Sequence, residues 1–446
     1  MKNILYVLII VVLGFCSCSE EGYLNAIPEG SKALISIDMG KATGVDNKAV
    51  LKALLHLKKI DESGLDFSNR VFLFSSPEGN LGLCAKVSSE SKLKDAFAKL
   101  VQKGLATDVK EFRSYNFTVI AGAWVVGFSS DAMLLMGPVE PASQAELRSQ
   151  MAKQLSADEE DGITASPLYA KIDSLDSPFS MVATVEALPE KMSAPLMLGA
   201  PKDADPSQVV IAAELKVKNH NLYINSEQFS FNKRIDASIK KSLEIYRPIK
   251  GKYVPCMSSD DMIGMFVNAD GLKLLPVFQQ DKEFQALLTG INTAIDMDNI
   301  IRSVDGDLTI KIPKMGEKNT SISMTAQLKN DNWLTDVNYW KESCPQGSSI
   351  TDWIHNGYHF KSDDTSFYFA VSSDMQFLSG SSPEEAINSL KPSVKPLSSE
   401  LQQFVKDKKM VMLVNFGTFD SKSGKAVTAL LNPLFGNVKT IVYSLK

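Results

Sequence analysis

Apolar and polar positions alternate in short blocks along most of this chain, and stretches with helical spacing break them up. One long apolar run comes first. It spans residues 4–15 behind Lys2, about a dozen residues, which is short for a membrane span and right for the hydrophobic centre of a signal peptide. Residues 33–38 (Ala-Leu-Ile-Ser-Ile-Asp) alternate and are β-branched, which predicts a strand. Val50, Leu51, Leu54, Leu55 and Leu57 recur at helical spacing and predict a helix over 47–59. Residues 71–74 and 81–87 predict a hairpin around Ser-Pro-Glu-Gly-Asn, and Leu93, Phe97, Leu100 and Val101 predict a helix over 92–101. This β-α-β-β-α order opens a ferredoxin-like unit. Short strands follow at 117–121, 123–128 and 132–136, then a helix at 141–155. Strands are predicted again at 179–185, 209–216 and 222–231, the last two forming a hairpin that turns at Asn219-His220-Asn221.

The pattern then starts again. Tyr23-Leu-Asn-Ala-Ile-Pro and the strand after it are echoed by Tyr253-Val-Pro-Cys and residues 262–270. Residues 126–137 (Val-Gly-Phe-Ser-Ser-Asp-Ala-Met-Leu-Leu-Met-Gly) line up with 369–380 (Phe-Ala-Val-Ser-Ser-Asp-Met-Gln-Phe-Leu-Ser-Gly), and each block leads to a proline and a helix, at Pro141 and Pro383. The strand at 179–185 matches 409–414. Self-similarity over this length predicts duplicated domains rather than a solenoid of short repeats. The expected organisation is a signal peptide at 1–17, a lipidated tether at 18–28, one α+β domain at 29–231, a basic linker helix at 232–252 and a second copy at 253–446. The fold class is α+β, with mostly antiparallel sheets and helices packed on one side.

Composition narrows the classes. The 446 residues are 44% hydrophobic and 22% charged, as in folded globular proteins, with room for two or three cores. A formal charge of −5 speaks against nucleic acid as a partner. Of five cysteines, Cys84 lies in an apolar strand and reads as a small core residue, while Cys256 and Cys344 could pair; so sparse a set is no disulfide framework. Seven basic residues against Asp236 and Glu244 in 232–252 suggest either a solvated linker face or a helix that meets anionic lipid.

No motif specifies a reaction. Four histidines are present; His355 and His359 have metal-helix spacing, but Gly357 between them opposes a helix and no zinc-protease glutamate accompanies them. Residues 417–426 resemble a phosphate loop with too long a gap between its glycines and Ala426 where Ser or Thr would hold magnesium. Asp296/Asp298 and Asp305/Asp307 are paired carboxylates of the kind that hydrolyse glycosides, and Asp305-Gly306 reads as a hairpin turn. No metal and no cofactor is expected. The remaining cluster is aromatic: Trp333, Trp340 and Trp353 are three of only four tryptophans, with Tyr339, His355, Tyr358 and His359 among them. They are either a stacking platform for a glycan or a protein partner, or the filling of a local core.

The apolar run ends in Cys16-Ser17-Cys18, which resembles the lipobox of bacterial lipoproteins; Cys18, preceded by the small Ser17, is the expected acylated residue. Ser19-Glu20-Glu21 resembles the acidic signal that sends Bacteroidetes lipoproteins to the cell surface. With Tyr23…Ile27-Pro28…Ala33…Ile37-Asp38 behind it, the whole layout resembles an uncharacterised, domain-of-unknown-function family of Bacteroidetes lipoproteins. The resemblance implies a lipoprotein of the outer membrane, at the cell surface or on the periplasmic face, held to the membrane by its N-terminal lipid, and it brings no catalytic residues. The expected function is therefore a non-enzymatic binding or interaction lipoprotein. An envelope hydrolase using an unrecognised carboxylate site, and a structural component without a small ligand, are the alternatives.

Overall fold

The computed structural model describes residues 21–41, 63–188, 197, 199–280, 291–314, 321–363, 365–418 and 435–445. The signal peptide, Cys18, the helix expected at 47–59 and most of the 417–426 loop lie outside them. The fold is α+β, and its contacts divide it into two compact units, residues 1–43 with 47–183 and residues 44–46 with 184–446.

The first unit is one antiparallel sheet. Its strands are β1 (Ala33–Ile37), β2 (Val71–Ser75), β3 (Leu81–Lys86), β4 (Lys110–Phe112), β5 (Tyr115–Ile120), β6 (Trp124–Phe128), β7 (Ala132–Gly137) and β8 (Phe179–Thr184). Pairing gives the order β8-β1-β2-β3-β7-β6-β5-β4. Strand β1 pairs directly with β2, where a split βαβ unit would place another strand between them. Continuous apolar runs such as Ala132–Gly137 are buried along their whole length because both faces of the sheet are covered.

The second unit contains β9 (Val210–Lys218), β10 (Asn221–Phe229), β11 (Tyr246–Arg247), β12 (Ile263–Asp270), β13 (Val304–Ile312), β14 (Ser323–Leu328), β15 (Ser349–Ile354), β16 (Gly357–Lys361), β17 (Ser366–Val371), β18 (Gln376–Gly380), β19 (Met410–Asn415) and β20 (Thr440–Leu445). Its central order is β19-β12-β13-β14-β18-β17-β16-β15. Taken from the first strand onward, that is the same order as in the first unit. The sheet continues past β19 through β20, then β10 in parallel, then β9. The β9–β10 hairpin, expected with residues 29–231, thus hydrogen-bonds to the C-terminal strand and counts with the second unit.

Three further expectations change. The tether expected at 18–28 is folded from Glu21 onward, because Tyr23, Leu24, Ala26 and Ile27 are buried apolar residues of a 3-10 turn at Gly22–Ala26 and the residue after it. Helices in the second unit cover both sheet faces, not one. Alternation along β12 sends Val267 and Ala269 toward helices Gly271–Gln280 and Met297–Arg302, and Phe266 toward Leu401 and Val405 of helix Ser399–Val405. Asp305-Gly306 is no hairpin turn: β13 runs straight through it, with Gly306 at φ +148° and a shift of register that marks a bulge.

Candidate functional site

The three tryptophans do not share one surface. Trp333 lies in the 3-10 turn Asn332–Asp336 and Trp340 in the helix Val337–Glu342 that continues it. Seven residues apart, they fall on one face of the continuous element. Trp333 is 0% exposed and Trp340 4%. Their rings stack at 5.9 Å and 11°, and Trp333 also packs on Phe369 and Phe377. These two are filling for the core beneath β15–β18. The indole N–H of Trp333 has no acceptor among the described residues. Neither ring presents a face that a sugar could stack on.

Trp353 is different. Along β15, Ile350 points into that core, and the strand's alternation, interrupted by a bulge before Ile354, leaves Trp353 on the opposite face, half-buried against Ala370, Leu378 and Ala386. There it meets Tyr368 of β17 edge-on at 5.1 Å. Tyr368 in turn stacks on His359 of β16 at 3.9 Å and 3°. His359 and Tyr368 are directly opposite each other in the strand pairing, which is why the rings lie parallel. All three are half-buried, and Nε2 of His359 lies 3.0 Å from the Ser366 hydroxyl. Partial burial, and then the charge of Lys361, hold the imidazole below its ordinary pKa and favour its neutral form. Spacing in the sequence did not show the trio, since Tyr368 lies outside the tryptophan cluster and only pairing of β16 with β17 brings it in.

The other candidates are tied into the fold. Asp296 caps helix Met297–Arg302 by accepting from the Asn299 N–H, and Asp298 accepts from Gln279. Asp305 pairs with Arg247 at 2.8 Å. Asp307 is buried and accepts the N–H groups of Lys250 and Lys252. His355 lies in the turn between β15 and β16 and His359 in β16, not along a helix. Among the described residues no group of three or more His, Cys, Asp or Glu side chains is placed to hold a metal ion. Cys256 and Cys344 are both free thiols, as is the buried Cys84, whose thiol donates to the Tyr23 carbonyl. The basic segment is a helix at Lys233–Leu243 with Ile235 and Ile239 buried; Arg234, Lys240 and Arg247 pair with Asp203, Asp236 and Asp305.

A polar cleft of about 320 Å³ opens in the first unit, lined by Glu21, Tyr23, Asp38, Lys41, Arg70 and Asp173 among others. Arg70 holds Asp173 at 2.6 Å and Glu21 at 3.5 Å, and the Tyr169 hydroxyl donates to Glu21 at 2.8 Å. The Tyr23 hydroxyl donates to the Arg70 carbonyl, and burial raises its pKa further above the phenol range. The corresponding place in the second unit is covered. Strand register puts Asp307 where the first unit has Arg70, and Asn268 where it has Asp38. Asp307 and Asn268 bind the backbone of residues 248–252, which lies over these strand ends.

The sequence from Ile37 to Gly417 matches the family described as Domain of unknown function (DUF4836). The chain belongs to this family. Of the motif Tyr23…Ile27-Pro28…Ala33…Ile37-Asp38, the part up to Ala33 precedes the matched stretch and Ile37-Asp38 falls within it. No curated protein matches its sequence significantly. Among solved structures it is similar to crystal form I of TP0453, at 8% identity over 51% of this chain and 86% of that one, with a TM-score of 0.32. Crystal form III of the same protein aligns at 8% identity over 83% and 98% of the two chains, with a TM-score of 0.22.

Proposed function

We propose that this DUF4836 chain is a lipid-anchored protein of the bacterial outer membrane that works by binding a glycan or protein partner. Its anchor reading rests on the Cys16-Ser17-Cys18 sequence after the apolar run. Its binding reading rests on one observation, the half-buried aromatic trio Trp353–Tyr368–His359 on the sheet face opposite the Trp333 core. A rigid aromatic surface with polar edges offers both stacking area and hydrogen bonds at low entropic cost.

The test is Trp353→Ala, alone and with Tyr368→Ala, on the intact protein. Captured glycan or partner should be lost while the unfolding midpoint stays near that of the parent. Undiminished capture by the double variant sinks the binding reading. Cys18→Ser tests the anchor separately: lipid labelling and membrane fractionation should both disappear, and continued labelling would move the anchor to Cys16.

A further inference from the structure

We infer that the cleft face of the first unit is held against the lipid headgroups of the membrane that anchors the chain. This rests on acylation of Cys18. Glu21, the first described residue, is fixed in place by Tyr169 and Arg70, and the next turn is buried. Only Ser19 and Glu20 stand between Glu21 and Cys18. Three residue steps span at most about 11 Å even when fully extended. Glu21 lines the cleft, so the cleft lies within about that distance of the acylated residue and cannot stand off from the bilayer.

The leash, and not charge attraction, sets this position. The cleft presents Lys41 and Arg70, each already paired with carboxylates, among Glu21, Asp38, Asp173 and Asp176, so the face is net negative and polar. The large apolar side chains exposed in the first unit, Leu81 and Leu105, are not among the residues that line it. This face lies on headgroups and does not insert. In the second unit the residues that precede Tyr253 close the equivalent place, whereas in the first unit the residues that precede Tyr23 lead to the lipid.

The experiment uses the full acylated chain in vesicles of phosphatidylethanolamine and phosphatidylglycerol that carry a headgroup-linked quencher. A fluorophore is placed at Asp176→Cys on the cleft rim, or at Glu78→Cys, in a Cys344→Ser background. Glu78 is in the β2–β3 turn, at the far end of β2 from the cleft. The label at 176 should lose most of its emission and the label at 78 should keep most of its own. Inserting ten Gly/Ser residues after Glu20 should abolish the difference. Intact mass reports acylation independently. Equal quenching on an acylated chain overturns the inference alone, and an unmodified Cys18 overturns the anchor reading with it. A difference that survives the insertion overturns the short leash as its cause.

Discussion

Truncating Trp333 to alanine removes a ring that touches Trp340, Phe369 and Phe377 and leaves a cavity walled by strands that cannot collapse into it. The expected cost is about 3–5 kcal/mol, read from urea unfolding of the full chain. A cost near zero would mean that the indole is not in this core. The seven-residue spacing of Trp333 and Trp340 already allowed this outcome. A helical face of large rings is core far more often than platform, and no sequence pattern separates the two until the neighbouring strands are known. Asp261 makes a second residue-scale prediction. It is buried, accepts from the Ser258 N–H, and burial raises its pKa above the ordinary 3.8. Ionising it therefore costs more in the folded chain than in the unfolded one. Its favourable contribution is full below the ordinary pKa and is lost as pH rises through the raised value. Asp261→Asn should be more stable than the parent at pH 7, with the gap closing as pH falls below the carboxylate range. A gap that does not change with pH excludes this titration.

Elements were legible wherever local chemistry decides them. The β2–β3 hairpin and the Asn219-His220 turn, with both residues at positive φ, follow from turn residues, and the helix expected at 92–101 from its apolar spacing starts two residues earlier, at Glu90, behind the Ser89 cap. Two elements were misread because tertiary packing decided them. Tyr23 and Leu24 looked like part of a tether because a five-residue 3-10 turn has no periodicity to detect, and Asp305-Gly306 has turn chemistry that a bulge uses equally well. Glycines inside strands give a test at this scale. Gly82 stands opposite Phe74 in the β2–β3 pairing, and a Cβ there would fall 2.1 Å from the phenyl ring. The ring lies across the bare glycine, the arrangement that compensates a glycine in a strand. Gly82→Ala should cost about 1–3 kcal/mol through the forced shift of Phe74. Thermal unfolding of the full chain checks it, and an unchanged midpoint would show that the ring is free to move.

At the scale of the whole molecule, two units with one strand order turn the same position to different uses. The repeat was visible in sequence only at blocks fixed by close packing. Gly137 and Gly380 end matched segments, and a Cβ at either would collide with backbone, 2.7 Å from the Ala123 carbonyl and 2.6 Å from the Ala386 nitrogen. Elsewhere the copies have diverged, and the aromatic trio belongs to the second alone. Tyr23 and Tyr253 show how far. Each is buried and stands ten positions ahead of the start of a strand, β1 or β12. The Tyr23 hydroxyl donates to the Arg70 carbonyl at 2.7 Å, whereas the Tyr253 hydroxyl, beside the carboxylate of Asp307, has no partner among the described residues. Deleting the first oxygen leaves a partly buried carbonyl short of a donor; deleting the second removes a desolvated group that forms no bond among the described residues. Tyr23→Phe should therefore destabilise the chain by about 1 kcal/mol, and Tyr253→Phe should leave it unchanged or stabilise it by a similar amount. Paired urea titrations of the two variants decide the matter. Equal losses would mean that Tyr253 has a partner in solution, and that the two units use this tyrosine alike.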